Sequence, residues 1–280
     1  MMLRLISSGV AMLLALPLPA KAQVSASVTR ADGASVPLRI YAPASRAPCA
    51  PTLLISHGFG GSEAGLSSLA AAAAARGWRV LAMGHRESGR DQLRAAFQQG
   101  GGLAAVDASA RERPKHVARL ADLDAAYAEA LRPCRPPLLV LAGHSMGSQT
   151  VMIEAGARPL IGAMGRNRFN GYIALSPQGV GTTYGPGAWS GVNKPVLMVT
   201  GTRDAVVGGD YTARLSAFEG LPPGNKRLAV IEGAGHLQIG GIGSSSVNSA
   251  VNALAIGFLD QLQTGAKAPL TLSGVSITDK

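Results

Sequence analysis

Ser145 lies in the run Gly143-His144-Ser145-Met146-Gly147, directly after the apolar stretch Leu138-Leu139-Val140-Leu141-Ala142. This is a G-x-S-x-G pattern at the point where a buried strand turns into a helix, with glycines where side chains would block so sharp a turn. A turn of that kind exposes the hydroxyl and frees the Met146 N–H at a helix start, where it can meet developing negative charge. A serine hydroxyl attacks efficiently only when a base takes its proton. His236 is the candidate base: Gly233-Ala234-Gly235-His236 follows a strand ending at Ile231, which sets the imidazole at the carboxyl edge of a sheet. Asp204, in Gly201-Thr202-Arg203-Asp204, follows the preceding strand and is the candidate partner that fixes the tautomer of the base. Asp210 is the runner-up acid, but its position better suits capping or starting the helix that follows. His57-Gly58-Phe59-Gly60-Gly61 follows another strand, and its glycines let the Phe59 N–H approach a substrate carbonyl. Phe59 and Met146 are therefore the candidate oxyanion donors, and the chemistry implied is acyl transfer.

The remaining histidines read as supporting residues. His144 is expected to pack or hydrogen-bond behind the turn, His57 to orient the Gly-rich loop, His85 to reach the rim or to take a structural or solvated role, and His116 to lie on the surface. None has metal-ligand spacing, and the chain carries neither a P-loop nor a strand-linked G-x-G-x-x-G, so no metal and no nucleotide cofactor is expected.

The elements that must hold these residues are legible from hydrophobic pattern. Residues 24–30 and 36–41 alternate around Asp32-Gly33 as a hairpin. Buried strands are expected at 52–56, 79–83, 138–142, 172–175, 195–200 and 227–231. Helices are expected at 63–76, 115–131, 210–218 and across the stripe Val247, Val251, Leu254, Phe258, Leu262. Such alternation implies a mostly parallel sheet covered on both faces. Residues 84–114 read as one long polar connection, and the tail 265–280 as either an edge strand or a segment without regular structure.

The 280 residues suit one domain, and 47% hydrophobic with 15% charged residues suits a well-buried α/β core. Residues 1–22 have the form of a signal peptide: a basic start, an apolar stretch broken by Pro17 and Pro19, then Ala20-Lys21-Ala22 before Gln23. The expectation is export to a periplasm or medium without a stable membrane anchor. Removing that leader takes away Arg4 and Lys21 and no acid, leaving a net charge of +8. Aromatic residues make up only 4%, and no basic block occurs, so nucleic acid is not an expected partner. Cys49 and Cys134 precede two strands by similar distances. If those strands are parallel neighbours, the cysteines share the end of the sheet away from the chemistry, a candidate disulfide in an exported chain.

Together the four motifs around Phe59, Ser145, Asp204 and His236 resemble the α/β-hydrolase superfamily, in particular its dienelactone hydrolase-like and platelet-activating-factor acetylhydrolase-like esterases. The resemblance spans about residues 51–262 and extends to Leu221-Pro222-Pro223-Gly224. It implies an eight-stranded, mainly parallel sheet, cofactor-free ester hydrolysis through an acyl-enzyme, and adjacency of the strands before Phe59 and Ser145. True dienelactone hydrolases use cysteine as nucleophile, so Ser145 departs from that pattern. A large cap is not expected, because only a short segment separates Pro177 from Lys194. Within it, Trp189 and Tyr184 are candidates to line an open pocket, or else to pack the loop. The leading reading is an exported serine esterase acting on a small-molecule ester. A polyesterase or lipase working on insoluble substrate, and a non-catalytic binding protein on the same scaffold, remain alternatives.

Overall fold

A computed structural model describes residues 23–44, 49–207, 209–266 and 271–280; the expected leader, 1–22, lies outside them. The strands are β1 (Val24–Thr29), β2 (Ser35–Tyr41), β3 (Thr52–Ser56), β4 (Arg79–Met83), β5 (Leu139–His144), β6 (Gly171–Leu175), β7 (Val196–Arg203), β8 (Lys226–Gly235) and β9 (Val275–Asp279). They form one sheet in the order β1-β2-β4-β3-β5-β6-β7-β8-β9. Strands β3 to β8 run parallel, whereas β1, β2 and β9 pair antiparallel at the edges. The expected count of eight is thus exceeded by one. The extra strand comes from the tail, where Val275 to Asp279 pairs with β8 and covers its open edge.

The central strands are buried on both faces, so alternate residues feed two separate cores. Leu54 and Leu141 point into one core with Leu123 and Ala126 of α4 (Arg113–Leu131) and Val151 of α5 (Met146–Glu154). Leu53, Ile55 and Val140 point into the other, against Leu69 and Ala73 of α1 (Ser67–Ala75) and Val251, Leu254 and Phe258 of α8 (Ser245–Thr264). Ser244 caps α8 by accepting from the Val247 N–H. The helix expected over 63–76 starts only at Ser67, after Leu66 takes a left-handed conformation.

The expected polar connection after β4 is more structured than its composition implied. A 3-10 turn (Arg86–Ser88) leads into α2 (Arg90–Gln98) and α3 (Gly102–Ala110). Leu93 of α2 presses on Gly60, where a Cβ would stand 2.4 Å from its Cδ2. Arg111, just after α3, donates to Thr182 Oγ1 at 2.7 Å. Two short helices therefore bridge the loop after β3 and the loop after β6. On the remaining stretch, α6 (Thr212–Glu219) follows β7, and the four-residue α7 (His236–Ile239) follows β8.

β3 and β5 are parallel neighbours, with Thr52 level with Leu139. Their preceding loops consequently end side by side, and Cys49 and Cys134 form a disulfide with Cα atoms 5.9 Å apart.

Candidate active site

Ser145 connects β5 to α5 with φ +54° and ψ −118°, a conformation non-glycine residues rarely adopt. Its neighbours make this possible. A Cβ on Gly143 would sit 2.3 Å from the Gly147 carbonyl oxygen, and one on Gly147 would sit 2.0 Å from that of Ser56. Only glycine allows the backbone to fold so tightly here. The Ser145 N–H is tied to the Leu175 carbonyl at 2.9 Å, while the Ser145 side chain stays half-exposed at the carboxyl edge of the sheet.

Asp204 and His236 reach the same edge from β7 and β8. A β-bulge shifts the register between Gly201 and Arg203, aligning Arg203 with Gly235, and the Thr202 hydroxyl accepts from the Gly233 N–H at 2.8 Å. The two loops are thereby locked together. His236 Nε2 lies 2.9 Å from Ser145 Oγ, and His236 Nδ1 lies 2.8 Å from Asp204 Oδ1. With Asp204 ionised, Nδ1 carries the proton and Nε2 is left to accept that of Ser145. Asp210 is not in this group; it accepts from the Thr212 N–H at 2.8 Å at the start of α6.

Asp204 is fully buried, and burial alone pushes its carboxyl up; the His236 hydrogen bond and the Arg214 charge outweigh it and leave the group below the usual range. Thr200 donates to Asp204 Oδ2 at 2.9 Å. Arg214, on α6, is a buried partner that sequence reasoning missed. Its Nη2 lies 2.9 Å from Asp204 Oδ1, and its other donors hold the Asp204, Ser176 and Pro177 carbonyls. His144 packs against His236 with ring centroids 4.7 Å apart and the planes tilted by 44°, and its Nε2 donates to the His236 carbonyl at 2.9 Å. Burial pushes His144 down to about 3, so it packs as a neutral ring behind the His236 imidazole.

Met146 opens α5, so its N–H has no intrahelical acceptor. Neither it nor the Phe59 N–H donates to a protein acceptor among the described residues. Gly58, which precedes Phe59, lies against Ser145: a Cβ there would be 3.3 Å from that of Ser145.

Three expectations need correction. His116 is 1% exposed, not on the surface; Nε2 donates to the Ala110 carbonyl at 3.0 Å, and burial pushes the ring down to about 4. Trp189 and Tyr184 do not wall an open pocket, because they are 0% and 1% exposed and lie ring against ring at 5.0 Å in the core. The physical reason is the closeness of α6: a Cβ on Gly220 would meet the Trp189 ring at 2.7 Å. Among the described residues, no group of three His, Cys, Asp or Glu side chains is arranged to hold a metal ion, and no helix is long and apolar enough to cross a membrane.

Behind the loop after β3 lies a second polar network that the sequence reading did not assemble. Ser56 Oγ is 2.8 Å from His85 Nε2, and His85 Nδ1 is 2.8 Å from Asp122 Oδ2. Arg30 donates to Asp122 Oδ1 at 3.1 Å, and Arg119 donates to Ser56 Oγ at 3.2 Å. Burial, followed by the Arg119 charge, drives both His57 and His85 well below the ordinary histidine value, so both are neutral.

No protein-family model matches the sequence, and no curated protein matches it. Solved structures do. A putative dienelactone hydrolase of Klebsiella pneumoniae superposes with a TM-score of 0.63 at 16% identity, covering 87% of this chain and 100% of that one. Est1E from Butyrivibrio proteoclasticus gives 0.57 at 19% identity over 84% and 99% of the two chains. A lid-less α/β serine hydrolase of Xanthomonas campestris gives 0.56 at 16% identity over 88% and 97%. The chain has the α/β-hydrolase fold in its dienelactone hydrolase-like form.

Proposed function

We propose, for a chain with the α/β-hydrolase fold, that it is a serine hydrolase cleaving carboxylic esters through an acyl-enzyme. The observation that carries this reading is the hydrogen-bonded line Ser145–His236–Asp204, with the serine on a strained, half-exposed turn. Ser145 Oγ attacks the ester carbonyl while His236 Nε2 takes its proton. The resulting oxyanion is held by the Met146 and Phe59 N–H groups. His236 then gives its proton to the leaving alkoxide, takes one from water as that water attacks the acyl-enzyme, and returns it to Ser145 Oγ as the acid leaves. Asp204 orients the imidazole and stabilises its charged form throughout.

The substrate side of the reading is a small or short-chain ester. Among the described residues no cap helix intervenes between β6 and β7, and the aromatic rings of that segment, Tyr184 and Trp189, are committed to the core and wall no acyl cavity. Each buried methylene contributes only about 0.8 kcal/mol, so an open cleft discriminates weakly for long chains. Action on insoluble ester is the second reading, favoured by Leu237 and Ile242, exposed apolar residues that follow His236. Export fits the same picture: the disulfide belongs to oxidising compartments, and residues 1–22 carry the address.

The decisive experiment combines a fluorophosphonate with a panel of p-nitrophenyl esters of rising chain length. Labelling of Ser145 and turnover of short esters below their solubility limit are expected. Failure of both would sink the enzyme reading, and a preference for long chains appearing only above that limit would favour the insoluble-substrate reading.

A further inference from the structure

The acyl-transfer reading requires the Phe59 N–H to point at the substrate oxygen, although Phe59 lies in a glycine-rich loop with little conformational preference of its own. What aims it is visible behind the loop. In a trans peptide the carbonyl and the following N–H point in opposite directions. Fixing the Gly58 carbonyl toward the interior therefore fixes the Phe59 N–H toward the Ser145 side, where Gly58 already lies.

The Gly58 carbonyl accepts from three donors: His57 Nδ1 at 2.6 Å, the Gly61 N–H at 3.1 Å and Arg119 Nη2 at 3.4 Å. Arg119 does more than add the third. Nη1 donates to the His57 carbonyl at 2.7 Å and to Ser56 Oγ at 3.2 Å, and Nε donates to Ser88 Oγ at 2.8 Å. Ser88 in turn accepts the Gly60 N–H on its backbone carbonyl at 2.8 Å. One fully buried guanidinium thus grips the peptides before Phe59 directly and the residue after it through Ser88. Its planar fork suits four acceptors in different directions; an ammonium in its place would be a single point charge.

The protons in this network are ordered. The Asp122 carboxylate accepts from His85 Nδ1–H, so His85 Nε2 accepts from the Ser56 hydroxyl, which leaves a Ser56 lone pair for Arg119. The His85 backbone N–H donates to His57 Nε2 at 3.1 Å, so the proton of neutral His57 sits on Nδ1 and points at the Gly58 carbonyl. Every partner is therefore in the state that holds that carbonyl inward.

We propose that Arg119 is a positioning residue for the reaction: its guanidinium fixes the plane of the Gly58–Phe59 peptide and so aims the Phe59 N–H at the developing oxyanion. This rests on the acyl-transfer reading above. The test compares Arg119→Lys with the unaltered enzyme on p-nitrophenyl acetate and on its thionoester counterpart, whose larger, weakly accepting sulfur gains little from an oxyanion hole. Loss of one oxyanion donor costs about 10²–10³-fold in kcat, so misaiming one is expected to lower kcat on the oxygen ester about 10- to 100-fold. KM should be nearly unchanged, and the thionoester rate should stay within about threefold. Ser88→Ala, which removes a single Arg119 acceptor, should show the same selectivity at about 3- to 10-fold, and serves if Arg119→Lys does not fold. Equal losses on both substrates would overturn the proposal alone, leaving Arg119 as a packing residue. An unaltered protein that turns over neither substrate would overturn the acyl-transfer reading and this proposal with it.

Discussion

Two Ser-His-Asp lines lie within one sheet, and their distances scarcely differ. Ser145–His236–Asp204 has contacts of 2.9 and 2.8 Å; Ser56–His85–Asp122 has 2.8 and 2.8 Å. Everything around those contacts differs. Ser145 has φ +54° at a helix start and faces a base whose side chain is 33% exposed, whereas Ser56 lies inside β3 at 0% and His85 at 2%. The oxygen of Ser56 is further occupied by Arg119, a donor that would have to be displaced before any attack. Hydrogen bonding alone therefore does not make a nucleophile. Access, a strained turn and nearby free N–H groups separate a line that can react from one that holds a loop in place.

Substituting each serine tests that contrast most severely. Ser145→Ala should reduce ester turnover by about 10⁴-fold or more with the fold retained. Ser56→Ala should lose less than about tenfold in turnover but about 1–3 kcal/mol in stability, because His85 and Arg119 would each lose a buried partner. Mass mapping after fluorophosphonate treatment should find the label on Ser145 only. A label on Ser56, or a turnover-competent Ser145→Ala, would erase the distinction.

The acids provide the next comparison. Asp204→Asn should cost about 10²–10⁴-fold in kcat, because an amide opposite His236 Nδ1 favours the wrong tautomer. Asp122→Asn should act mainly on stability, with turnover reduced less than about tenfold. Parallel kcat and Tm measurements decide the matter, and an Asp122→Asn enzyme as inactive as Asp204→Asn would place the rear network in the chemistry itself.

How much of this was legible beforehand follows from where each residue lies. Ser145, Asp204 and His236 each follow an apolar run closely, so the carboxyl edge of a parallel sheet gathers them whatever the details of packing. The rear network draws on β3, the loop after β4, the end of β1 and α4, and no local pattern joins them. On α4 the hydrophobic spacing gives the helix but not its buried polar residues: Val117 is 42% exposed, while Lys115, His116, Arg119 and Asp122 turn inward. The recoverable signal is the helical spacing of those four polar residues, of which sequence reasoning places only His116, at the surface. Arg214 escaped for the same reason, as one arginine on a helix of mixed polarity. Trp189 and Tyr184 were placed near the site by chain proximity, but packing against α6 and the sheet drew their rings inward.

Acid pH should act mainly through the buried histidines. Burial lowers His57, His85, His116 and His144, so each binds a proton more readily once unfolded. Stability is then fully present above the unfolded value of about 6.5 and declines as pH falls through it. Asp122, pushed up to about 6 by burial, opposes this between about pH 6 and 4, as a single group against four. Asp204, held low, gives stability that is lost only at still lower pH, as its folded value is passed. Tm should fall by about 5 °C or more between pH 7.5 and 5. A flat profile would mean that these rings are not held neutral.

The mildest change concerns the second oxygen of each acid. Asp122 Oδ1 is met by the Arg30 guanidinium, Asp204 Oδ2 by the Thr200 hydroxyl. Thr200→Val keeps the shape of a fully buried strand position and removes only that donor. The Asp204 carboxylate would keep His236 and Arg214 on Oδ1 but lose the bond that stops it from rotating about its own axis. A neutral hydrogen bond contributes about 1 kcal/mol, so kcat should fall about 2- to 10-fold with KM unchanged. If kcat stays in place, Arg214 alone fixes the carboxylate, and the two acids would then be held alike, by a guanidinium.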